Sequence, residues 1–180
     1  MTIYMTTIKS ASDLSTGPEP WQRTAQMVLL EEGMKAPEFT LPRDGGETVT
    51  LAQYSGRKLV LFFYPKDDTS GCTTEAIAFT ALRERFDAAG TDILGMSPDS
   101  PAKHDKFIAK HELNVALASD EEKTTLEAYG VWKEKSMYGK KYMGVERSTF
   151  LVDENGTIEK IWRKVKVPGH AEAVLEAVSP

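Results

Sequence analysis

The sequence predicts an α/β protein built on a central mixed β-sheet with helices on both faces. Three observations carry that reading. Apolar runs of strand length alternate with helix-length amphipathic stretches from Ala36 onward. The separations are long enough for parallel crossovers. Near the C-terminus, two strand-like runs flank Asn155-Gly156, which adds antiparallel neighbours.

Taken in order, "RKLVLFFYP" contains the run Leu59 to Tyr64, suited to a strand buried on both faces. "TTEAIAFTALRERFDAAG" places Phe79, Leu82 and Phe86 at helical spacing and ends at Gly90. "DILGMS", Asp92 to Ser97, reads as a second strand. A helix follows with Ser100 as N-cap and Pro101 as its first residue. "NVALAS" is a short strand. Ser119 and Glu122 offer a capping box for a helix that stops at Gly130. "ERSTFLVDENGTIEKIWR" predicts a hairpin turning on a type I′ Asn155-Gly156, and "HAEAVLEAV" a closing helix.

Two units are expected. Residues 1–33 form an N-terminal extension, in which "WQRTAQMVLLEEG" is either one docked helix or partly disordered. Residues 34–180 form the domain.

Composition narrows the function. Among 180 residues, 41% are hydrophobic and 27% charged, as in an ordinary globular protein, and the net charge is −5. An acidic balance gives no general attraction to nucleic acid or to anionic membrane. "MVLL" is too short for a signal-peptide core, so the expected location is the cytoplasm. One cysteine, Cys72, excludes an intrachain disulfide and a thiolate metal cluster. His104, His111 and His170 have no metal-ligand spacing; His104 and His111, seven apart, read as a solvent-facing pair. The lysines of "KEKSMYGKK" read as a solvated loop.

Cys72 lies between the C-terminal end of a buried strand and the first turn of a helix, the place where open α/β sheets carry their chemistry. With Thr69 or Ser70 as N-cap, its sulfur sits beside free backbone N–H groups and the positive end of a helix. That alone is too weak. An ordinary thiol is about 3% ionised at pH 7, and bringing it to roughly 90% takes about 3.4 kcal/mol. A helix start supplies about 0.3–1 kcal/mol. Asp67, Asp68 and Glu75 would oppose the charge if close in space. A cation from elsewhere is required, and Arg147 at a strand start is the candidate; Lys66 is local but solvated.

With those residues in hand, the chain resembles the peroxiredoxins, most nearly the bacterioferritin-comigratory-protein or Q-type subfamily. "PKDDTSGC" fits the family's Pro-x-x-x-Thr-x-x-Cys loop with Pro65, Thr69 and Cys72. "KAPEFTL" resembles the family's opening strand. "YGVWKEKSMYGKKYMGVERSTFLVDENG" is similar to the segment leading to the family's arginine, here Arg147. The resemblance covers about Lys35 to Leu175.

It implies a thioredoxin-like fold and thiol-dependent reduction of hydrogen peroxide and organic hydroperoxides, without metal or flavin. It also implies roles: Cys72 as nucleophile, Arg147 on the thiolate and peroxide, Thr69 hydrogen-bonding the peroxide, and Pro65 shielding the sulfur. Glu75 caps the helix at most. A monomer or homodimer is expected, and Trp132 near the pocket. Two positions depart from the pattern. Ser70 stands where the family often has Pro, and Ile77 where many Q-type members carry a resolving cysteine. The oxidised sulfur must therefore be reduced by an external thiol: thioredoxin, glutaredoxin or glutathione. Two other readings of the thiol are a non-enzymatic peroxide sensor and an acyl-transfer nucleophile with His104, His111 or His170 as base.

Overall fold

A computed structural model describes residues 29–179. The chain begins with a small antiparallel ribbon, β1 (Thr40–Pro42) and β2 (Thr48–Thr50). It continues through β3 (Lys58–Phe63), α1 (Ser70–Ala88), β4 (Thr91–Ser97), α2 (Pro101–His111) and β5 (Ala116–Ser119). After α3 (Thr124–Ala128) come β6 (Trp132–Met137), β7 (Lys140–Val145), β8 (Ser148–Val152), β9 (Ile158–Trp162) and α4 (His170–Val178).

The central sheet has the order β5-β4-β3-β8-β9. β3, β4 and β5 run parallel, while β8 is antiparallel to both β3 and β9. The mixed sheet expected from the sequence is therefore present. β3 explains why its sequence is apolar throughout. Alternate side chains face opposite sides of a sheet, and both sides are covered here. Leu59, Leu61 and Phe63 join a layer with Leu126 and Tyr129 from the α3 region. Val60, Phe62 and Tyr64 join the other layer with Phe79 and Phe86 of α1, Phe107 of α2 and Val174 of α4. Gly95 of β4 keeps this layer tight: a Cβ there would come within 2.6 Å of the Phe62 ring.

Ser100 occupies the N-cap position of α2, without a side-chain capping bond, and Pro101 is its first residue; Gly90 and Gly130 take positive φ just past their helices, as expected. Three expectations are corrected. Ser119 does not open α3; it stays in β5 and its hydroxyl donates to the carbonyl of Asp99. The helix starts later, after Lys123 at φ 61°, and the Asp120 carboxylate accepts the Leu126 N–H at 2.8 Å.

The Asn155-Gly156 hairpin forms, but not with a type I′ turn. Only Gly156 has positive φ, Asp153 N donates to Thr157 O at 2.8 Å, and the Asp153 carboxylate takes the Asn155 and Thr157 N–H groups. This is a three-residue connection closed by a left-handed glycine. The two-residue geometry occurs instead at Tyr138 and Gly139, with φ of 51° and 77°, joining β6 to β7.

That ribbon is the third correction, because its lysines were read as a solvated loop. Lys133 pairs with Glu146, Lys135 donates to Val145 O, and Lys141 pairs with Glu134.

Of "WQRTAQMVLLEEG", residues 21–28 lie outside the described residues. Residues 29–33 are anchored to the domain: Arg163 donates to Leu30 O, Ile161 N to Glu32, and Gly33 N to Ile158 O.

Candidate active site

Phe63 ends β3, and its partner across the sheet is Ser148. That register sets Arg147, one residue earlier, level with Tyr64, where the chain leaves the sheet toward Cys72. This pairing thus brings Arg147 to a sulfur 75 residues away in sequence. Its backbone is held on both sides: Glu146 N donates to Val131 O at 2.7 Å, and Val165 N to Arg147 O at 2.9 Å.

Thr69 is the N-cap of α1, with extended backbone angles, so Cys72 is the third helical residue. Nothing in the first turn of α1 is acidic. The sulfur is nearly sealed, at 2% exposure, within the layer that also holds Phe79 and Ala76. Arg147 Nη2 donates to Cys72 Sγ at 3.3 Å. The other branch of the guanidinium, Nη1, donates to Glu75 Oε2. Gly71 leaves room for this arrangement, since a Cβ there would stand 3.2 Å from Nη2.

The sequence allowed that Asp67 and Asp68 would oppose negative charge on the sulfur, but both are engaged elsewhere. Asp67 is buried and accepts from Tyr64 Oη and His104 Nδ1, each at 2.7 Å. Asp68, at φ 58°, turns outward to Lys110 and His111. Only Glu75 shares the site, and Arg147 lies between its charge and the sulfur.

Glu75 does not cap the helix. It is 1% exposed, and its Oε1 has no partner among the described residues. Burial pushes its carboxyl up to about 7, against the pull of Arg147. Burial also disfavours the Arg147 charge, but Glu75 and Cys72 outweigh it and raise the guanidinium further. Arg147 stays a cation throughout.

The remaining sequence-predicted residues are near but differently employed. Thr69 Oγ1 donates its hydrogen to Lys66 O at 3.0 Å rather than to the helix, leaving its lone pairs free. Pro65 opens the loop directly after the buried strand and is half-buried. Lys66 is exposed, as expected. Trp132 packs against the sheet layer opposite the one that holds Cys72.

The histidines are not a solvent-facing pair. His104 is fully buried, with Nδ1 on Asp67 and Nε2 3.1 Å from Ala118 O. His111 bonds Asp68, and His170 sits 2.8 Å from Thr149 Oγ1. Among the described residues Cys72 Sγ has one hydrogen-bond partner, Arg147, so none of the three is placed as a base for acyl transfer. The Tyr64–Asp67–His104 group was invisible in the sequence, because its members belong to a strand end, a loop and a separate helix with no fixed spacing. Glu75 carried one signal: it falls three residues after Cys72, on nearly the same helical face.

Comparison with known proteins agrees with this geometry. The AhpC/TSA family model matches residues 33–161. Peroxiredoxin Bcp of Bacillus subtilis is 50% identical over 151 residues, covering 84% of this chain and 96% of its own. Peroxiredoxin Bcp of Escherichia coli is 41% identical over 149 residues, covering 83% and 96%. Among solved structures, a Xanthomonas campestris peroxiredoxin Q superposes with a TM-score of 0.75 at 50% identity, covering 78% of this chain and 89% of that one. The bacterioferritin comigratory protein of the same organism, solved as trapped intermediate and ligand complexes for its alkyl peroxide reduction activity, gives 0.77 at 46%, covering 82% and 97%. An α/β sheet with one buried thiol held by an arginine at a strand-to-helix junction, matched over nearly the whole length of these relatives, has one family to which it belongs: this chain is a peroxiredoxin of the AhpC/TSA family, of the Bcp or Q type.

Proposed function

We propose that the protein is a one-cysteine peroxidase, in which Cys72 reduces hydrogen peroxide and organic hydroperoxides and an external thiol restores it. The observation that carries this reading is the 3.3 Å contact of Arg147 Nη2 with Cys72 Sγ at the start of α1. Guanidinium and helix start together favour negative charge on the sulfur.

The thiolate attacks the terminal peroxide oxygen. An S–O bond forms, the O–O bond breaks, and the departing alkoxide takes a proton to leave as alcohol, or as water from hydrogen peroxide. Negative charge moves from sulfur to the leaving oxygen. The planar donors of Arg147 suit both ends of that displacement better than a lysine would. Thr69, its hydrogen committed to Lys66 O, accepts the peroxide's O–H and orients it. Pro65 presents no N–H and limits water around the sulfur. The product sulfenic acid meets no second cysteine in the sequence, so an outside thiol must form a mixed disulfide with it. Thioredoxin, glutaredoxin and glutathione are the classes of reductant, the cytoplasm is the compartment, and the unit is a monomer or homodimer. No helix among the described residues is long and apolar enough to cross a membrane.

Peroxide consumption with a thiol donor tests this. Wild-type protein turns over, and Cys72→Ser does not; a serine variant that still consumed peroxide would refute the reading. The sensor alternative draws no support from the relatives, which are named as peroxiredoxins.

A further inference from the structure

Four of the seven large apolar side chains exposed among the described residues lie together in the outer part of the β6–β7 ribbon: Met137, Tyr138, Tyr142 and Met143. Tyr138, at the turn, is 97% exposed. Residues directly opposite one another in a ribbon share a face, and the register spreads the apolar groups over both. Met137 and Tyr142 lie on one face with Lys140 and Lys135, while Met143 lies on the other with Glu134. The ribbon holds four lysines to one glutamate, in a chain of net charge −5. Lys140 has no ion-pair partner among the described residues. A second basic segment meets the ribbon's base. Glu146 N closes the base on Val131 O, and one residue on, Arg147 O accepts from Val165 N. Lys164 and Lys166, on either side of Val165, are both exposed.

We propose that the ribbon tip docks on the surface of an anionic phospholipid bilayer. Tyr138 and the exposed methionines enter the zone between headgroups and acyl chains, where an apolar ring with a polar end is favoured. Lys135, Lys140 and Lys141 stand beside them, and their flexible stems let the ammonium groups stay with the lipid phosphates. Lys164 and Lys166 add positive charge from the base. Apolar groups on both faces select this partner. A protein surface covers one face of a ribbon and leaves the other in water, whereas a fluid bilayer surrounds a convex tip without needing a matching shape.

The acidic balance of the whole chain does not oppose this docking. Strands of six residues carry the tip about 20 Å from the ribbon's base, at ~3.3 Å per residue. Exposed charges are largely screened beyond about 8 Å at physiological salt. The tip therefore meets the lipid while most of the acidic body stays out of range. Attraction to anionic membrane is absent as a property of the whole chain and local to the ribbon. The proposal stands apart from the peroxidase reading of Cys72.

The test is flotation of the full chain with vesicles, phosphatidylcholine alone against phosphatidylcholine with about one-third phosphatidylglycerol. Wild type floats with the anionic vesicles and not with the neutral ones, and high salt releases it. Tyr138→Ser/Met143→Ser and Lys140→Glu/Lys141→Glu each lower the partition constant about ten-fold or more, at urea midpoints equal to that of wild type. Flotation with neither vesicle, or equally with both, overturns the proposal. So does flotation that the apolar variant leaves intact: loss by charge reversal alone marks the ribbon as a site for an acidic protein. Flotation that charge reversal leaves intact overturns it equally. Tyr138→Trp gives a readout that needs no loss of binding. Its added indole emission shifts to the blue on anionic vesicles and is quenched by brominated acyl chains. An emission that the vesicles leave unmoved overturns the proposal even where the other variants unfold.

Discussion

At the scale of single residues, the site is a three-member chain, Glu75–Arg147–Cys72, with one cation between two potential anions. Removing the cation strands the outer members. Arg147→Met leaves Glu75 buried without its partner, and by analogy with other broken buried pairs costs about 3 kcal/mol of stability, read from urea unfolding. Glu75 also gives stability a pH signature. Its carboxyl rises on folding from 4.5 to about 7, so its contribution is fully present below about 4.5 and is lost as pH climbs through about 7. The wild-type urea midpoint should therefore fall more between about pH 5 and pH 8 than that of Glu75→Gln. Equal pH slopes for the two proteins would show that Glu75 is not the titrating group. For Thr69, the donated hydrogen makes the hydroxyl oxygen the useful atom. Thr69→Val should slow Cys72 oxidation by peroxide about ten-fold or more, and Thr69→Ser should retain most of the rate.

At the scale of elements, α2 holds the loop between β3 and α1 against the body through His104 and Asp67 inside and Lys110 and His111 on Asp68 outside. The inner contact matters more, because it is dry. His104→Leu leaves the Asp67 carboxylate with Tyr64 alone and should cost about 3 kcal/mol. The loss should centre on the loop, seen as faster amide exchange over residues 65–72 than in the β3–β4 core. On the same side of the sheet, His170 opens α4 beside Thr149 and is pushed down to about 4 by burial, with Arg147 adding repulsion. It therefore contributes stability above about pH 6.5 that is lost as pH falls toward about 4. His170→Gln should show a flatter acid limb in urea midpoints across that interval.

At the scale of the whole molecule, Cys72 and Arg147 meet only because β8 pairs with β3 in one register. A shift of one residue would turn Arg147 to the other face. The strand-helix alternation and the loop motif were legible in the sequence, because apolar runs and N-cap chemistry are local signals. The sequence left Thr69 or Ser70 as N-cap, and Cys72 is the third residue of α1 because the cap is Thr69. The β6–β7 ribbon was not legible: its strands are charged, largely exposed and closed by a tyrosine in left-handed conformation, which carries no turn signature. Nor was the direction of the loop's two aspartates, since neighbouring identical residues point to opposite environments. That distinction decides whether the sulfur meets two carboxylates or none of them.

The central claim is that the distant guanidinium makes this sulfur a fast nucleophile toward peroxide. Its most direct test is the rate at which the single thiol disappears when one equivalent of hydrogen peroxide is added to reduced protein. Wild type should lose its thiol rapidly and completely, with Arg147→Gln slower by about 100-fold, as for loss of a preorganised charge donor. Equal rates in the two proteins would contradict the account.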